Sequence, residues 1–422
     1  MSRIVVTTLG TLGDLHPKIA IALELRQRGH DVVFVTHQVY QSKIEALGFE
    51  FHPMRPDFTA MNDPQEMARM MDLKTGQEYM VRQWANPSLH EMYEDLLNVA
   101  KSADFIFSGE GVIATPLVAE KLGMRWASSA MVPMGFFSAY DPPVLAAFPS
   151  LAKLYKFGLI ANKAIVNFAK LVSNSWAEPI RQLRSELGLS PINYNPFIDN
   201  RKYSPYLVIA LFSSVIGKPQ PDWPENTVVA GFTFYDGTQG GAELTSELKQ
   251  FLDAGEPPIV FTLGSAAVMD AGNFYQESVE AVKKLNRRAV LLIGKNPFPK
   301  NLSEDIIAVS YAPYSQIFPR ACAIAHQGGI GTTAQALRAG HPTLIMPYSH
   351  DQPDNAARVE RLGTSRTIPR QQYGAKRVVK ELNALLENPD YAAKALEIGR
   401  IIQAEDGVAV ASDAIEKQLE II

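Results

Sequence analysis

The sequence has almost no cysteine and no long hydrophobic run. Its single cysteine, Cys322, lies in an apolar stretch and excludes an intrachain disulfide. No apolar run reaches the about 18 residues that a membrane-spanning helix requires, so we expect no transmembrane segment. The chain passes from Met1 directly into a strand-like stretch without a signal-peptide pattern, which predicts a cytoplasmic protein.

The sequence also lacks a strong charge of either sign. A net charge of −4 and a pI of about 6.1 give no indication of a general nucleic-acid binder. Its 422 residues, 46% of them hydrophobic, are enough for two sizeable cores. Strand-like and helix-like stretches alternate along both halves, so the sequence predicts two α/β domains.

The most informative stretch lies between residues 310 and 355. The pattern predicts a strand over 321–325 that runs into His326, then a glycine turn, a short helix and a second strand over 343–346. Beyond this second strand lies a polar cluster made of His350, Asp351, Gln352 and Asn355. Because parallel sheets bind ligands beyond the carboxyl ends of their strands, we expect His326 and this cluster at one site.

The turn after His326 has the composition of a phosphate-binding turn. Its glycines, Gly328, Gly329 and Gly331, let the backbone approach a ligand, and the helix behind them offers unpaired N–H groups and a positive dipole end. Thr332 and Thr333 add hydroxyl donors. The turn is neither a Walker loop, which needs a Lys after the last glycine, nor GxGxxG, whose spacing differs.

These residues resemble the family 1 glycosyltransferases of the GT-B fold, which move a sugar from a nucleotide diphosphate to an acceptor hydroxyl. The signature runs from 311–313 (Tyr-Ala-Pro) through 326–333 to Asp351-Gln352, and the resemblance covers most of the chain. The GGxGTT form, with Phe-Pro-Arg at 318–320, is more similar to the bacterial and fungal branch of sterol and antibiotic glycosyltransferases than to the plant branch. The resemblance implies two Rossmann-like domains facing across a cleft that excludes water.

The resemblance also implies how the donor is bound. Tyr311 stands where the family stacks an aromatic ring on the nucleotide base, with an ordinary surface tyrosine as the alternative. Gln335 replaces the Glu that bridges the ribose hydroxyls in many relatives, which predicts a looser choice of nucleotide. The residues that would hold the diphosphate are Ser265, His326, Gly329, Gly331, Thr332 and Thr333.

Asp351 and Gln352 would bond the sugar hydroxyls; capping of the helix that starts before Pro353 is the alternative. The expected donor is a UDP- or dTDP-linked hexose, with UDP-glucose as the first candidate. Direct displacement at the sugar would invert its anomeric centre. The sequence has no Asp-x-Asp motif, so we expect neither a metal nor another cofactor.

A second glycine turn, at residues 10–14, leads from the strand Arg3–Thr8 into a helix predicted from about Pro17 to Arg28. Asp14 can be read as the N-cap of that helix. Aligned on Pro17, the resemblance instead makes Asp14 the general base for the acceptor hydroxyl, with His16 as the alternative base. Gly13 would then contact the donor.

The first half of the chain is rich in adaptable apolar side chains. Seven of the 13 methionines lie between residues 54 and 92, on mostly helical stretches. Together with Met134, Phe136 and Phe137 they suit a flat hydrophobic acceptor such as a phenolic, a sterol or a terpenoid, although methionine also simply fills cores. Glu110 could contact the acceptor or Asp14; a solvated loop carboxylate is the alternative.

Residues 151–172 combine four lysines with apolar residues at helical spacing. Such a helix could make a weak contact with an anionic membrane surface. The alternative is an ordinary domain helix with its basic side in water.

The domain prediction assigns 1–225, plus a C-terminal helix at 405–422 that packs back, to the acceptor, and 226–404 to the donor. The break is placed in the Pro- and Gly-rich stretch that begins at Pro219 and includes Asp236, Gly240 and Gly241. Two other functions stay open: a nucleotide-sugar 2-epimerase-like enzyme, and a catalytically idle binding protein on the same fold.

Overall fold

A computed structural model of the chain describes residues 1–57, 63–235, 237 and 244–421. It divides into two compact units. The first comprises Met1–Asp63, Lys74–Tyr235 and Asp406–Ile422, and the second comprises Pro64–Leu73 and Asp236–Glu405. Asp236, Gly240 and Gly241 of the predicted linker lie outside the described residues, as does Met61 of the methionine-rich stretch.

Each unit is built on one parallel sheet. In the described parts of the chain the strands are β1 (Arg3–Thr8), β2 (Asp31–Thr36), β3 (Glu50–Pro53), β4 (Phe105–Gly109), β5 (Trp126–Ala130), β6 (Leu207–Ala210), β7 (Thr227–Val229), β8 (Ile259–Thr262), β9 (Ala289–Leu292), β10 (Ile306–Val309), β11 (Ala323–His326), β12 (Thr343–Ile345) and β13 (Ser365–Thr367). The strand order is β3-β2-β1-β4-β5-β6-β7 in the first sheet and β10-β9-β8-β11-β12-β13 in the second. The predicted α/β class with two Rossmann-like halves is therefore confirmed.

Helices connect most successive strands, because parallel pairing needs a long crossover connection; β6 and β7, and β9 and β10, are joined by segments that the structure describes in full and that contain no α-helix. Over the same described ranges the α-helices are α1 (Leu12–Gln27), α2 (Gln41–Ala46), α3 (Pro64–Met70), α4 (Gly76–Met80), α5 (Leu89–Ala100), α6 (Thr115–Leu122), α7 (Leu159–Val172), α8 (Glu178–Glu186), α9 (Ser246–Asp253), α10 (Phe274–Leu285), α11 (Tyr314–Ile317), α12 (Ile330–Ala339), α13 (Gln352–Arg361), α14 (Ala375–Glu387), α15 (Pro389–Gln403) and α16 (Gly407–Leu419).

Alternation along the strands gives the first sheet a core on each face. In β1, Ile4 and Val6 belong to the cluster that contains residues of α1 and α16, whereas Val5 belongs to the cluster formed with α5, α6 and α8. Burial on both faces explains why β1 and β4 read as continuous hydrophobic runs rather than as alternating patterns.

The strand order of each sheet reverses at one point. In the first sheet this point lies between β1 and β4, and in the second it lies between β8 and β11. The loops that leave two such neighbouring strands run in opposite directions, which opens a crevice at the carboxyl ends of the strands. The segments that follow β1 and β4 carry Asp14 and Glu110, and the segments that follow β8 and β11 carry Ser265 and the glycine turn.

Several predicted helices have different bounds in the structure. The first helix begins at Leu12, five residues before Pro17, because Thr11 caps it. The single helix predicted over 151–172 is instead a 3-10 segment (Pro149–Phe157) followed by α7, since Gly158 between them has a φ of 81°. The helical stretch after residue 75 is likewise divided: α4 passes into a π-helical segment (Val81–Ala85) before α5 begins at Leu89.

The first unit extends to Tyr235, ten residues beyond the predicted boundary at 225, because β7 is a strand of its sheet. The C-terminal helix α16 belongs to this unit, where Arg28 forms ion pairs with Asp413 and Glu416. Among the described residues, no helix has the length and apolar character needed to span a bilayer.

Part of the methionine-rich stretch belongs to the second unit. Residues 64–73 group with it, and Met67, Met70 and Met71 are buried there. His350 fixes this segment, since its Nε2 donates to the carbonyl of Met70 at 2.8 Å. The prediction that placed all the methionines of this stretch in the first domain was therefore wrong for these three.

Candidate active site

Asp14 lies in the first turn of α1, directly beyond β1. Thr11 is the N-cap of this helix, and Asp14 is the third helical residue of a capping box in which its Oδ2 accepts from the Thr11 backbone N–H at 2.8 Å. The interpretation of Asp14 as the N-cap itself was therefore wrong. One carboxylate oxygen closes the turn, and the carboxyl group is held in a fixed orientation.

The surroundings of Asp14 raise its pKa from 3.8 to about 6. Burial is the largest cause, because removing the carboxylate from water disfavours its charged form. The hydrogen bond from Thr11 and the charge of Lys18 act in the opposite direction, while the nearby charge of Glu110 raises the pKa further. A carboxyl with this pKa is ionised at neutral pH and is a stronger base than an exposed aspartate.

Lys18 is a functional candidate that the sequence analysis missed. It lies one helical turn beyond Asp14 and is fully buried, with its Nζ 2.6 Å from the Ser129 hydroxyl and 3.3 Å from the centre of the Phe107 ring. Burial lowers its pKa well below the ordinary value, and the charges of Asp14 and Glu110 oppose this shift. A lysine four residues after Asp14, directly before the apolar run IAIAL at 19–23, is the signal that could have identified it.

His16 lies on a different side of α1 from Asp14, because residues two apart on a helix do not face each other. Its Nε2 accepts from Lys43 Nζ at 3.3 Å, and its ring meets Tyr235 edge-on at 5.1 Å. Gly13 precedes Asp14 in the first turn of the helix, where its N–H donates to the Thr11 hydroxyl at 3.2 Å. Asp14 and His16 are therefore alternative candidates for the general base. They have separate surroundings and do not form a hydrogen-bonded pair.

Glu110, at the end of β4, is held within the first unit. It accepts a short hydrogen bond from the Tyr203 hydroxyl and an ion pair from Lys202 at 3.3 Å, with about a quarter of its side chain exposed (23%). The interpretation as a solvated loop carboxylate was therefore wrong. A cavity of about 60 Å³ adjoins Glu110, Trp126 and Tyr203, which is room for water but not for a sterol.

The aromatic residues predicted to contact the acceptor pack into the interior of the first unit. Met134, Phe136 and Phe137 are nearly fully buried, and the Phe136 ring stacks on Trp223 at 4.2 Å. Phe137 adopts a left-handed backbone conformation and packs against Val166 of α7. A contact between these three residues and an acceptor stays a prediction.

In the second unit, His326 is the last residue of β11. Its Nδ1 accepts from the Gly328 N–H at 3.0 Å, so the neutral ring carries its proton on Nε2. Burial lowers the pKa of this imidazole to about 3. Within the described residues, Nε2 has no hydrogen-bond partner although it is buried. The structure therefore holds a neutral imidazole beside the glycine turn whose Nε2–H has no acceptor among the described residues.

The glycine turn places the N-terminus of α12 beside His326. Gly329 is the N-cap and provides no side-chain hydrogen bond, so the first N–H groups of the helix are left for a ligand. Gly331, in this first turn, is exposed. Gly328 has a φ of +88°, and a Cβ there would lie 2.9 Å from Ile345, so only glycine fits.

The two threonines that follow the turn point inward instead. Thr332 and Thr333 are buried, and the Thr332 hydroxyl lies 3.4 Å from Gln327 Nε2. Gln327 also touches the turn after β8, where a Cβ on Gly264 would lie 2.2 Å from its Nε2. The exposed Ser265 is thereby brought beside the glycine turn, and Gln327, which the sequence analysis missed, connects the two.

Asp351 and Gln352 lie beside the same turn. Asp351 occupies the N-cap position of α13 but makes no capping hydrogen bond; its Oδ2 accepts from Asn355 Nδ2 at 2.6 Å. The same amide nitrogen donates to the Gly328 carbonyl at 2.9 Å. Gln352 accepts from the Tyr348 N–H through its Oε1 at 2.8 Å. Asn355 thus fixes the position of Asp351 relative to the glycine turn.

The two residues predicted to contact the nucleoside lie at different depths. Tyr311 follows β10, and 66% of its surface is exposed, so its ring is accessible for stacking. Gln335 is half-buried on α12. Across the described residues, no group of three or more His, Cys, Asp or Glu side chains could hold a metal ion. The expectation that no metal is needed stays a prediction.

Two family models match the chain, one in each half. The glycosyltransferase family 28 N-terminal domain matches residues 4–118, and the erythromycin biosynthesis protein CIII-like C-terminal domain matches residues 277–409. The first match includes Asp14 and Glu110, and the second includes His326, the glycine turn, Asp351 and Gln352 but not Ser265.

Similar proteins extend over nearly the whole chain. The O-mycaminosyltylonolide 6-deoxyallosyltransferase of Streptomyces fradiae is 31% identical over 435 residues, covering 99% of this chain and 98% of its own. The sterol 3-beta-glucosyltransferase of Neurospora crassa is 28% identical over 99% of this chain, which spans only 27% of that longer protein. The solved structure of the glycosyltransferase VinC in complex with dTDP has the same fold, with a TM-score of 0.68, 17% identity and 98% coverage of both chains.

The sequence signature, the two parallel sheets and the near-complete alignment with a deoxyallosyltransferase agree with one another. The chain is an enzyme and belongs to the family 1 glycosyltransferases of the GT-B fold, together with sterol and antibiotic glycosyltransferases.

Proposed function

We propose that this glycosyltransferase moves a hexose, with glucose as the first candidate, from a UDP- or dTDP-linked donor to a hydroxyl of a hydrophobic small molecule, with inversion at the anomeric carbon. The observation that carries the proposal is the Asp14 carboxyl, fixed by Thr11 at the reversal point of the first sheet with a pKa of about 6. It suits a base that accepts a proton from an alcohol at neutral pH.

The donor would be held by the second unit. The free N–H groups of α12 and the Nε2–H of His326 can donate to the diphosphate, and the positive end of the helix dipole favours its charge. Asp351 and the amide nitrogen of Gln352 would bond the sugar hydroxyls, and Tyr311 would stack on the base. Gln335 in place of Glu supports tolerance toward the nucleoside, so both UDP and dTDP are candidates.

In the proposed reaction the acceptor oxygen attacks the anomeric carbon from the face opposite the diphosphate. As the new C–O bond forms, the bond between the anomeric carbon and the diphosphate oxygen breaks, and its electron pair leaves with the nucleotide. Asp14 takes the proton of the acceptor hydroxyl. The groups at the α12 N-terminus stabilise the negative charge that develops on the leaving diphosphate. No metal or other cofactor is needed for these steps.

The acceptor class is supported by the names of the relatives and by composition. The Streptomyces fradiae relative glycosylates a tylonolide derivative and the Neurospora crassa relative a sterol, as their names state. By composition, the methionine-rich stretch together with Met134, Phe136 and Phe137 favours an apolar acceptor, although these last three residues pack into the interior of the first unit. Sterols, other terpenoids and phenolics are therefore the first acceptors to test. We propose the cytoplasm as the location.

A donor and acceptor panel tests the function. Purified protein is incubated with UDP-glucose, dTDP-glucose and other nucleotide hexoses, first alone and then with sterols, phenolics, terpenoids and free sugars, and the products are identified by mass. We expect a hydrophobic glycoside from at least one donor, at an undiminished rate in EDTA. Free sugars outcompeting every hydrophobic acceptor would contradict the acceptor class, and isomerisation of the donor without acceptor would indicate an epimerase.

Lys18 gives a prediction about the pH dependence of this reaction. Its charge lowers the pKa of Asp14, so Lys18→Met should raise that pKa further and shift the acidic limb of the kcat/KM profile to higher pH. Turnover at about pH 6 should then fall a few-fold, while the melting temperature is retained, because an apolar side chain of similar volume replaces a buried charge.

The control for this experiment is Lys43→Met, since Lys43 contacts His16 rather than Asp14. It should leave the acidic limb in place. A profile that is identical in wild type and Lys18→Met would show that Lys18 does not act on the base.

A further inference from the structure

Exposed apolar side chains are concentrated in one segment of the first unit. Seven large hydrophobic residues between positions 148 and 172 have 40% or more of their surface exposed: Phe148, Leu154, Phe157, Ile160, Phe168, Leu171 and Val172. We name this group the 148–172 surface. Single exposed apolar residues need no explanation, but a contiguous group of this kind marks a contact site.

The segment is firmly attached to the first unit, so the exposure is not a result of poor packing. Val166 on the inner face of α7 packs against Phe137 and Ile198, and Asn162 Nδ2 donates to the Ala139 carbonyl at 3.0 Å. The outer face of α7 carries Ile160, Phe168 and Leu171 at helical spacing.

The 3-10 segment and α7 form one continuous surface. The rings of Phe148 and Phe168 meet edge-on at 5.4 Å, which joins the start of the segment to the outer face of α7. Gly158, whose φ is 81°, makes the bend that presents Phe157 and Ile160 on either side of it. The most exposed apolar residues, Ile160 and Leu171, lie three turns apart on the helix.

The charge of the segment has one sign. Residues 142–177 contain four lysines and neither Asp nor Glu. Lys170 is paired with Asp199 at 3.0 Å. Lys153, Lys156 and Lys163 are exposed and form no ion pair with any described residue. Apolar and cationic side chains therefore share the same exposed surface.

We propose that the 148–172 surface docks onto an anionic lipid bilayer. Exposed Phe, Leu and Ile enter the boundary between headgroups and acyl chains, and the lysines remain at the level of the anionic headgroups. The absence of acidic residues from 142–177 favours an anionic lipid surface. The inference does not depend on the proposed sugar transfer, because lipid binding is measured without donor or acceptor.

The test is co-sedimentation of the full chain with vesicles of phosphatidylcholine alone and with vesicles that also contain phosphatidylglycerol. We expect the protein to sediment with the anionic vesicles, more weakly with neutral ones, and less as salt is raised, because salt screens the lysines. No binding to anionic vesicles would overturn the proposal.

Phe157 and Phe298 provide a matched pair of variants. Their exposures are 66% and 65%, and Phe298 also stands near two exposed lysines, Lys295 and Lys300, but outside the 148–172 surface. Phe157→Ser is expected to lower vesicle partitioning by roughly tenfold, the effect of losing one inserted apolar side chain, while Phe298→Ser leaves it unchanged. Equal losses in both variants would contradict the proposal.

The role of the lysines in binding anionic headgroups is tested by comparing K156E/K163E with K295E/K300E, with thermal melting to confirm that both variants fold. The first double variant should lose its preference for anionic vesicles, and the second should keep it.

A second copy of this chain is the competing occupant of the 148–172 surface. If wild type is a dimer by light scattering, Phe157→Ser is a monomer, and vesicle binding is the same in both, the surface is a dimer interface and the proposal fails.

Discussion

Asp14→Asn is expected to lower turnover by about 10²–10⁴-fold, the usual contribution of a general base. The asparagine keeps the size of Asp14, and its side-chain oxygen can still accept from the Thr11 N–H, so the capping interaction of α1 is largely preserved. What the variant loses is the ability to take a proton from the acceptor. Turnover with saturating acceptor and the affinity for nucleotide diphosphate, by calorimetry, are the two measurements.

The pH profile of the wild type belongs to the same prediction. The folded-state pKa of Asp14 is raised to about 6, so the carboxylate is present above pH 6 and is lost as pH falls through this value. Activity should therefore decline on the acidic side with a midpoint near pH 6. An acidic limb near the ordinary aspartate value of about 3.9 would argue against the raised pKa.

His16→Ala is the control for Asp14→Asn. His16 contacts Lys43 and Tyr235 on another side of α1, so its loss should reduce turnover far less. If Asp14→Asn keeps near-wild-type turnover, Asp14 only closes the capping box, and the search for the base moves to His16 and Glu110.

His326→Ala is expected to weaken binding of UDP or dTDP by about 1.5–3 kcal/mol, the range for a hydrogen bond to a charged group. The free protein keeps this imidazole neutral, with its proton on Nε2 and no partner for that proton among the described residues. Loss of this donor should slow turnover as well, since the leaving diphosphate is less stabilised. Isothermal titration with each nucleotide gives the affinity.

Two further variants separate binding from folding. His326→Gln retains an amide donor and should recover part of the affinity, which a purely structural role would not require. His341→Ala removes another histidine of the second unit, one that donates to the Pro319 carbonyl at 3.3 Å, and should leave nucleotide binding intact. Unchanged diphosphate affinity in a folded His326→Ala protein would reject the assignment.

Much of the proposed donor site was predictable because its signals are local. Gly328 and Gly329 mark the turn, Gly340 ends the helix with a left-handed residue, and the apolar runs on either side give β11 and β12 to within two residues. The place of these residues at one site followed from topology, since loops after neighbouring parallel strands meet at one edge of the sheet. The same reasoning placed Asp14 and Glu110 beyond β1 and β4.

What could not be predicted depends on contacts between distant parts of the chain. Nothing near Lys18 in the sequence indicates that it meets Phe107 and Ser129, about a hundred residues away. The membership of residues 64–73 in the second unit likewise depends on distant contacts, among them hydrogen bonds from His350 to Met70 and from Ser349 to Asp72. Helix periodicity alone predicted a single helix over 151–172. The helix is broken at Gly158 by a positive φ, which the hydrophobic pattern does not encode.

The most direct test of the central claim, inverting transfer with Asp14 as the base, is the anomeric configuration of the product. The enzyme is given an α-linked nucleotide glucose labelled with ¹³C at the anomeric carbon, together with an acceptor selected by the panel, and the product is examined by NMR. Direct displacement predicts the β-glycoside, formed by the wild type and greatly diminished in Asp14→Asn. An α-glycoside, or undiminished β-glycoside formation in Asp14→Asn, would contradict the account.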